Sequence, residues 1–309
     1  MAPQKEGRKI AIIGASGNVG RPTVKALLTQ GVHSITVVQR LEATSKFPSG
    51  VTIKSGDLQD ESFLANAFQG QDVVVLMPPL PHMISIQESA IRAAAKVGTP
   101  YILPAEYGPD PFAHRLVEQN QLLQDKKRIR DLISELGVAS WISITVGPFL
   151  DMNIKSGFWG IDVENRKATI WDGKVGMVSA SGLTYTGQAI AAVLTLPEEA
   201  LSQYKNKAVY VPAFRFTQQE LLETVQRVMG TMEEGWAIEY QDIHDALKDC
   251  EAKIQQRDSN GPFIKFFLTH FQEGSGGDLQ QKVNKDELRK LHELGLVDQA
   301  LEDVVRASL

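Results

Sequence analysis

Residues 10–20 read IAIIGASGNVG, and this stretch decides the fold. A short apolar run from Ile10 to Ile13 leads straight into Gly14, Gly17 and Gly20, and a helix-like pattern follows over 21–30. Strand, glycine turn and helix in that order form the context that makes a glycine spacing a dinucleotide site. Gly14 permits the tight turn. Gly17 lets the backbone approach a pyrophosphate, which then rests on a helix N-terminus where free N–H groups and the helix dipole favour an anion. Gly20 allows close packing of helix on strand. The loop residues Gly14, Ser16, Gly17, Asn18, Val19 and Gly20 are the candidate phosphate cradle.

Working outward, strands and helices alternate through the first half of the chain, as in a parallel sheet. Strands are expected over 35–39, 51–54, 71–77, 101–103 and 141–146, with helices over 60–68, 84–97 and 113–136. The run QDVVVLM at 71–77 is apolar throughout, so it is expected to be buried on both faces. Gly147-Pro148 breaks the pattern. Beyond it, 149–170 is aromatic and irregular, 185–196 reads as a helix, 208–211 as a strand rejoining the sheet, and the rest from 217 as mostly helical. The fold expected is α/β, a doubly wound (Rossmann) sheet with a smaller α-rich capping domain. Residues 1–150 with 178–212 would form the nucleotide lobe, and 151–177 with 213–309 the cap.

Composition sets outer limits. The 309 residues are 43% hydrophobic and 22% charged, an ordinary globular balance. A net charge of −5 argues against nucleic acid as the main partner. The single cysteine, Cys250, rules out an internal disulfide or a cysteine-based zinc site. No signal peptide is visible, and no apolar stretch reaches the roughly 18 residues needed to span a bilayer. A cytoplasmic protein, monomer or homodimer, without membrane partners, is the expectation.

Several residues could carry chemistry. Arg40 ends the second strand, where an acidic residue would suit the ribose of NAD and an arginine suits the 2′-phosphate of NADP. Asp57 follows the third strand and could meet an adenine edge or form a turn. Met77-Pro78 follows the fourth, along the path of a cofactor. On the long helix, Leu122, Ile129, Ile133 and Leu136 make an apolar stripe whose phase includes Lys126 and excludes Lys127 and Arg128. A lysine aimed inward and desolvated is a usable acid or base, and the same phase suits an aliphatic stem lying along the helix edge. Glu106 lies past the fifth strand, as a second acid/base group or as a carboxylate orienting the helix. Phe149, Met152, Phe158 and Trp159 cluster after the sixth strand, and Phe263, Phe266 and Phe267 farther on. They suit a flat apolar substrate or a core between lobes. None of the six tyrosines has a lysine four residues on, so a Tyr-x-x-x-Lys pair is absent.

With these residues in view, the chain resembles the NmrA-like, isoflavone-reductase-like atypical short-chain dehydrogenases. The resemblance covers about residues 8–215. It rests on GASGNVG at 14–20, Arg40, the PAEYG element at 104–108 and the K-x-x-I-R element at 126–130. It implies NADP(H) as cofactor and Lys126 as catalytic acid/base. The resemblance also implies an NADPH-dependent reductase of an aromatic or heterocyclic small molecule, of alkaloid or polyketide type, in specialised metabolism. A redox-neutral condensation or cyclisation with the cofactor bound, or a dinucleotide sensor without turnover, are the other activities it allows.

Overall fold

The computed structural model describes residues 5–309. The chain opens with β1 (Lys9–Ile13), β2 (Ser34–Arg40), β3 (Val51–Gly56), β4 (Val73–Leu76), β5 (Tyr101–Leu103), a two-residue β6 (Tyr107–Gly108) and β7 (Ser140–Thr145). It leaves the sheet to build β8 (Ile161–Asp162), β9 (Lys167–Asp172) and β10 (Val178–Ala180), then returns as β11 (Lys207–Tyr210). Two further strands follow, β12 (Phe214–Phe216) and β13 (Ala237–Asp242).

The main sheet has the order β11-β7-β5-β4-β1-β2-β3, with β6 beside β7. Every pairing in it is parallel. Its centre is buried on both faces, which explains the unbroken apolar run VVVL of β4. Along β1 the side chains alternate between two cores. Ile10 and Ile12 pack with Val24 and Leu27 of helix Gly20–Gln30 and with the apolar helix Leu183–Thr195. Ala11 and Ile13 face the other way, onto Leu64, Phe68, Ile91, Ile129 and Ile133. The fold is therefore the doubly wound one, and its strand order reverses between β1 and β4. That switch point opens the crevice at the carboxyl ends of the strands where such folds take ligands.

Three features depart from the sequence expectation. The helix expected over 113–136 is two helices, His114–Gln119 and Gln121–Leu136, broken at Asn120 in an extended conformation. The Asn120 side chain donates to the Leu116 carbonyl at 2.9 Å and to Thr269 Oγ1 at 3.1 Å, so a polar anchor stops the first helix. Secondly, the cap is not only helical. It contains a sheet of order β13-β9-β8 and the antiparallel pair β10-β12. β13 lies at an edge and is mostly exposed, so its pattern carries little apolar signal. Finally, the cores divide differently from the expected boundaries. Val178 and Ala180 belong to the cap core, whereas Leu291, Leu294 and Leu296 fill the core of the nucleotide lobe.

Candidate functional site

The glycine turn sits at the end of β1. Gly14 has φ +83°, and a Cβ there would run into the Met77 carbonyl oxygen. Met77 N donates in turn to Ile13 O at 2.9 Å, so β4 and the turn are locked side by side. Gly17 N donates to Gly14 O at 3.0 Å and closes the turn. At Gly20 a Cβ would collide with the backbone of Gly14 and Ala15. Gly17 differs, because a Cβ there would meet only Gly14 O, at 3.2 Å. That contact is tight but single, and no other atom outside the adjoining residues lies within 4 Å of the position a Cβ would take.

These residues fit a dinucleotide. The exposed stretch Ser16, Gly17 and Asn18 leads into a helix whose first turn has no side-chain cap and no acidic residue. An anion there meets free N–H groups and the positive end of the helix dipole. Arg40 stands at the carboxyl end of β2 with 67% of its side chain exposed, and its partner is the equally exposed Glu42 at 3.4 Å. A surface pair of that kind is weak and readily given up to a phosphate. Asp57 is exposed at the end of β3 and accepts Gln59 N at 2.8 Å, so it forms the turn while remaining open to a ligand. Half-buried Met77 and buried Pro78 end β4 on the same rim.

The next strand end carries the ionisable cluster. Helix Gln121–Leu136 connects β5 to its parallel neighbour β7, so it runs against the strands and its first turns lie at their carboxyl ends. Lys126 is half-buried there and makes no ion pair or hydrogen bond among the described residues. Lys127, by contrast, is exposed and bound to Asp131 at 2.7 Å. Burial lowers the Lys126 pKa from the ordinary lysine value, Glu106 opposes that shift, and Arg130 adds to it. Glu106 is buried, with its side chain 3% exposed, and pairs with Arg130. Arg130 also donates to Pro111 O at 3.0 Å and lies over the Trp141 ring at 5.7 Å. Sequence reasoning included Arg130 in a motif but gave it no role. Its position four residues after Lys126, on the same helix face, was the available signal.

The cap residues separate. Met152, 45% exposed, comes within 3.2 Å of the Asn18 side chain, so the cap touches the glycine loop directly. Half-buried Phe149 packs against the core of the nucleotide lobe. Phe158 stacks on Phe263 with ring centroids 5.4 Å apart. Trp159 corrects the expectation of a substrate contact. It is fully buried in the cap core against Phe267 at 4.5 Å and Phe271 at 6.0 Å, where its area stabilises the lobe and cannot reach a ligand. No group of metal-ligating side chains occurs among the described residues, and no helix among them is long and apolar enough to cross a membrane.

A model of the NmrA-like family matches residues 6–255. Oxidoreductase aprR of Aspergillus flavus is 26% identical over 291 residues, spanning 92% of this chain and 94% of that protein. The solved structure of AtPrR2 with NADP+ and (+)pinoresinol matches with a TM-score of 0.78 at 22% identity, covering 98% of this chain and 99% of that one. Triphenylmethane reductase of Citrobacter sp. complexed with NADP(H) matches with a TM-score of 0.66 at 18% identity, covering 97% and 100%. At these identities the two structures speak for the fold.

Proposed function

This chain belongs to the NmrA-like family, and on that premise we propose that it is an NADP(H)-dependent oxidoreductase that reduces a small aromatic or heterocyclic molecule in specialised metabolism. The observation that carries the reading is Lys126, an unpaired and desolvated ammonium at the carboxyl edge of a dinucleotide fold. The names of the relatives support the class of reaction. NADP(H) supplies a hydride when bound.

The chain's own residues do the rest. The glycine turn and the uncapped helix hold the pyrophosphate, Arg40 takes the 2′-phosphate, and Met77-Pro78 lies along the cofactor's path. Met152, Phe149 and Phe158 present apolar surface that excludes water and holds a flat substrate. Lys126 gives its proton to the substrate heteroatom and is recharged from water. Its lowered pKa narrows the gap to neutral pH, which favours that exchange. Glu106, committed to Arg130, acts as an orienting carboxylate instead of exchanging protons.

Lys126→Ala should reduce turnover by about 10²–10⁴-fold with cofactor affinity nearly unchanged, while Lys127→Ala stays near the parent. A panel of aromatic carbonyls, imines and benzylic ethers, assayed by NADPH consumption, supplies the substrate for this comparison. Normal turnover by Lys126→Ala would overturn the mechanism.

A further inference from the structure

The chain passes between the nucleotide lobe and the cap at 146–150, 180–183, 211–214 and 279–285, each time leaving one apolar core for the other. The first three passages meet at fully buried Ser181. Its Oγ donates to Val146 O at 2.8 Å and accepts Ala213 N at 2.9 Å. Its backbone accepts Leu150 N at 3.0 Å and donates to Pro148 O at 3.2 Å. These three passages therefore form one joint.

The last passage is built differently. Up to Leu279 it is stitched to the cap. Glu273 N donates to Lys174 O, Ser179 N to Gly277 O and Leu279 N to Ser179 Oγ, each at 3.0 Å, and Arg215 pairs with Asp278 at 2.8 Å. From Asn284, which caps helix Lys285–Glu293, it belongs to the nucleotide lobe and brings Leu291 into that core. In the mostly exposed turn between, at 280–283, Lys282 is the one side chain with a polar partner among the described residues. It pairs with Asp110, in the loop after β6, and lies over the Tyr210 ring at 5.4 Å.

The two members of this pair are unequal. The Asp110 side chain is fully buried, whereas that of Lys282 is 43% exposed. Asp110 Oδ1 also accepts Phe112 N at 3.0 Å and the Tyr210 hydroxyl at 2.9 Å. Burial and Asp110 both raise the Tyr210 pKa, so the phenol stays a donor. Separating a buried ion pair is costly because it strands a charge. Here the carboxylate keeps two donors when the lysine leaves, and the lysine leaves into water. The Glu106–Arg130 pair is the opposite case, with both side chains buried and neither able to depart. Among the described residues, Lys282–Asp110 is also the one ion pair that joins the cap's last passage to the lobe. Asn18–Met152, Arg115–Glu273 and Asn120–Thr269 cross the same interface as hydrogen bonds to uncharged acceptors.

We propose that the cap swings on the joint at Ser181, and that Lys282 is a releasable latch, closed on the Asp110 catch and opened into solvent. Asp110 lies four residues after Glu106, so the closed latch also ties the loop of the ionisable cluster to the cap. Opening widens the crevice for exchange of cofactor and substrate, a hinge motion with a single ionic fastening. The inference needs no catalytic role for Lys126 and stands or falls apart from it.

Nitroxide labels on Lys96→Cys in the lobe and Lys253→Cys in the cap, both exposed sites, report the distance between lobes in a Cys250→Ala background. At low salt the labelled parent should give one narrow distance distribution. Lys282→Met keeps the stem and drops the charge, and should add a second population at another distance. Lys282→Arg should keep the parent's single one. Salt at about 1 M screens an exposed pair, so it should move the parent toward the distribution of Lys282→Met and leave that variant where it is. Identical distributions for the parent and Lys282→Met, or an equal response of both to salt, overturn the latch. Should Lys282→Met fail to fold, the parent decides alone, and a distribution unmoved by salt overturns the proposal.

Discussion

Gly17 and Gly20 lie three residues apart and lack side chains for different physical reasons. Gly20 is fixed by the protein, because its neighbours are backbone atoms of the turn. A Cβ on Gly17 would meet a single atom, Gly14 O at 3.2 Å, which the turn can accommodate with a small shift. Gly17→Val should therefore leave the melting temperature nearly unchanged and abolish the binding of NADPH, read by its fluorescence. Gly20→Val should lower stability by about 1–3 kcal/mol through overpacking. Normal NADPH binding by Gly17→Val would remove the phosphate reading of the turn. Arg40→Ala should reduce the preference for NADP over NAD by roughly tenfold or more, from the loss of one charge-assisted pair. Equal affinity of the parent for both cofactors, by titration calorimetry, would refute the role given to Arg40. The glycine turn was legible because its meaning is local. Trp159 misled because an aromatic near a site and an aromatic in a core look identical until the Phe216, Phe267 and Phe271 rings around it are known. The partnership of Glu106 with Arg130 spans 24 residues, so the sequence brings Glu106 to the helix as an orienting carboxylate without naming its partner.

Among the elements, the break at Asn120 has the most bearing on the site, since it sets where the helix that carries Lys126 begins. The same asparagine ties that start to Thr269 in the cap. Asn120→Ala removes both buried hydrogen bonds and should cost about 1–3 kcal/mol in urea unfolding, with faster hydrogen exchange over 114–123. Thr269→Val cuts only the link to the cap and should cost less. Equal stability of Asn120→Ala and the parent would show that the backbone breaks there without help. The sequence favours one long helix because its apolar period runs through 120 without a proline or glycine to interrupt it. A long-range hydrogen bond ends the first helix instead. The buried strands were legible for the opposite reason, since residues covered on both faces are apolar in an unbroken run. β13, solvated on most of its length, offered no such run.

The whole molecule should weaken under mild acid through two histidines, His33 and His270. His33 accepts Arg8 N–H at 3.2 Å on Nδ1 and shares a hydrogen bond with Thr195 at 3.0 Å. His270 is buried and holds the Phe266 carbonyl at 2.6 Å. Burial lowers the pKa of each from 6.5 to about 4, so both are neutral in the folded state. The unfolded chain binds the protons first, and the stability present above pH 6.5 declines as pH falls toward 4. Urea midpoints across that window should fall for the parent, and less steeply for His33→Gln and His270→Gln. An unchanged slope in both variants would assign the acid sensitivity elsewhere. The return of the chain to its sheet has a further consequence, for the order in which a newly made molecule becomes stable. β11 pairs with β7 in the register Val209↔Ile144, so β7 is a bare edge until the first part of the cap has been synthesised. Leu291, Leu294 and Leu296, which fill the floor beneath the same sheet, emerge later still. The nucleotide lobe therefore cannot finish on the ribosome ahead of its cap, and both lobes acquire their stability together, once the segment carrying Leu291, Leu294 and Leu296 has emerged.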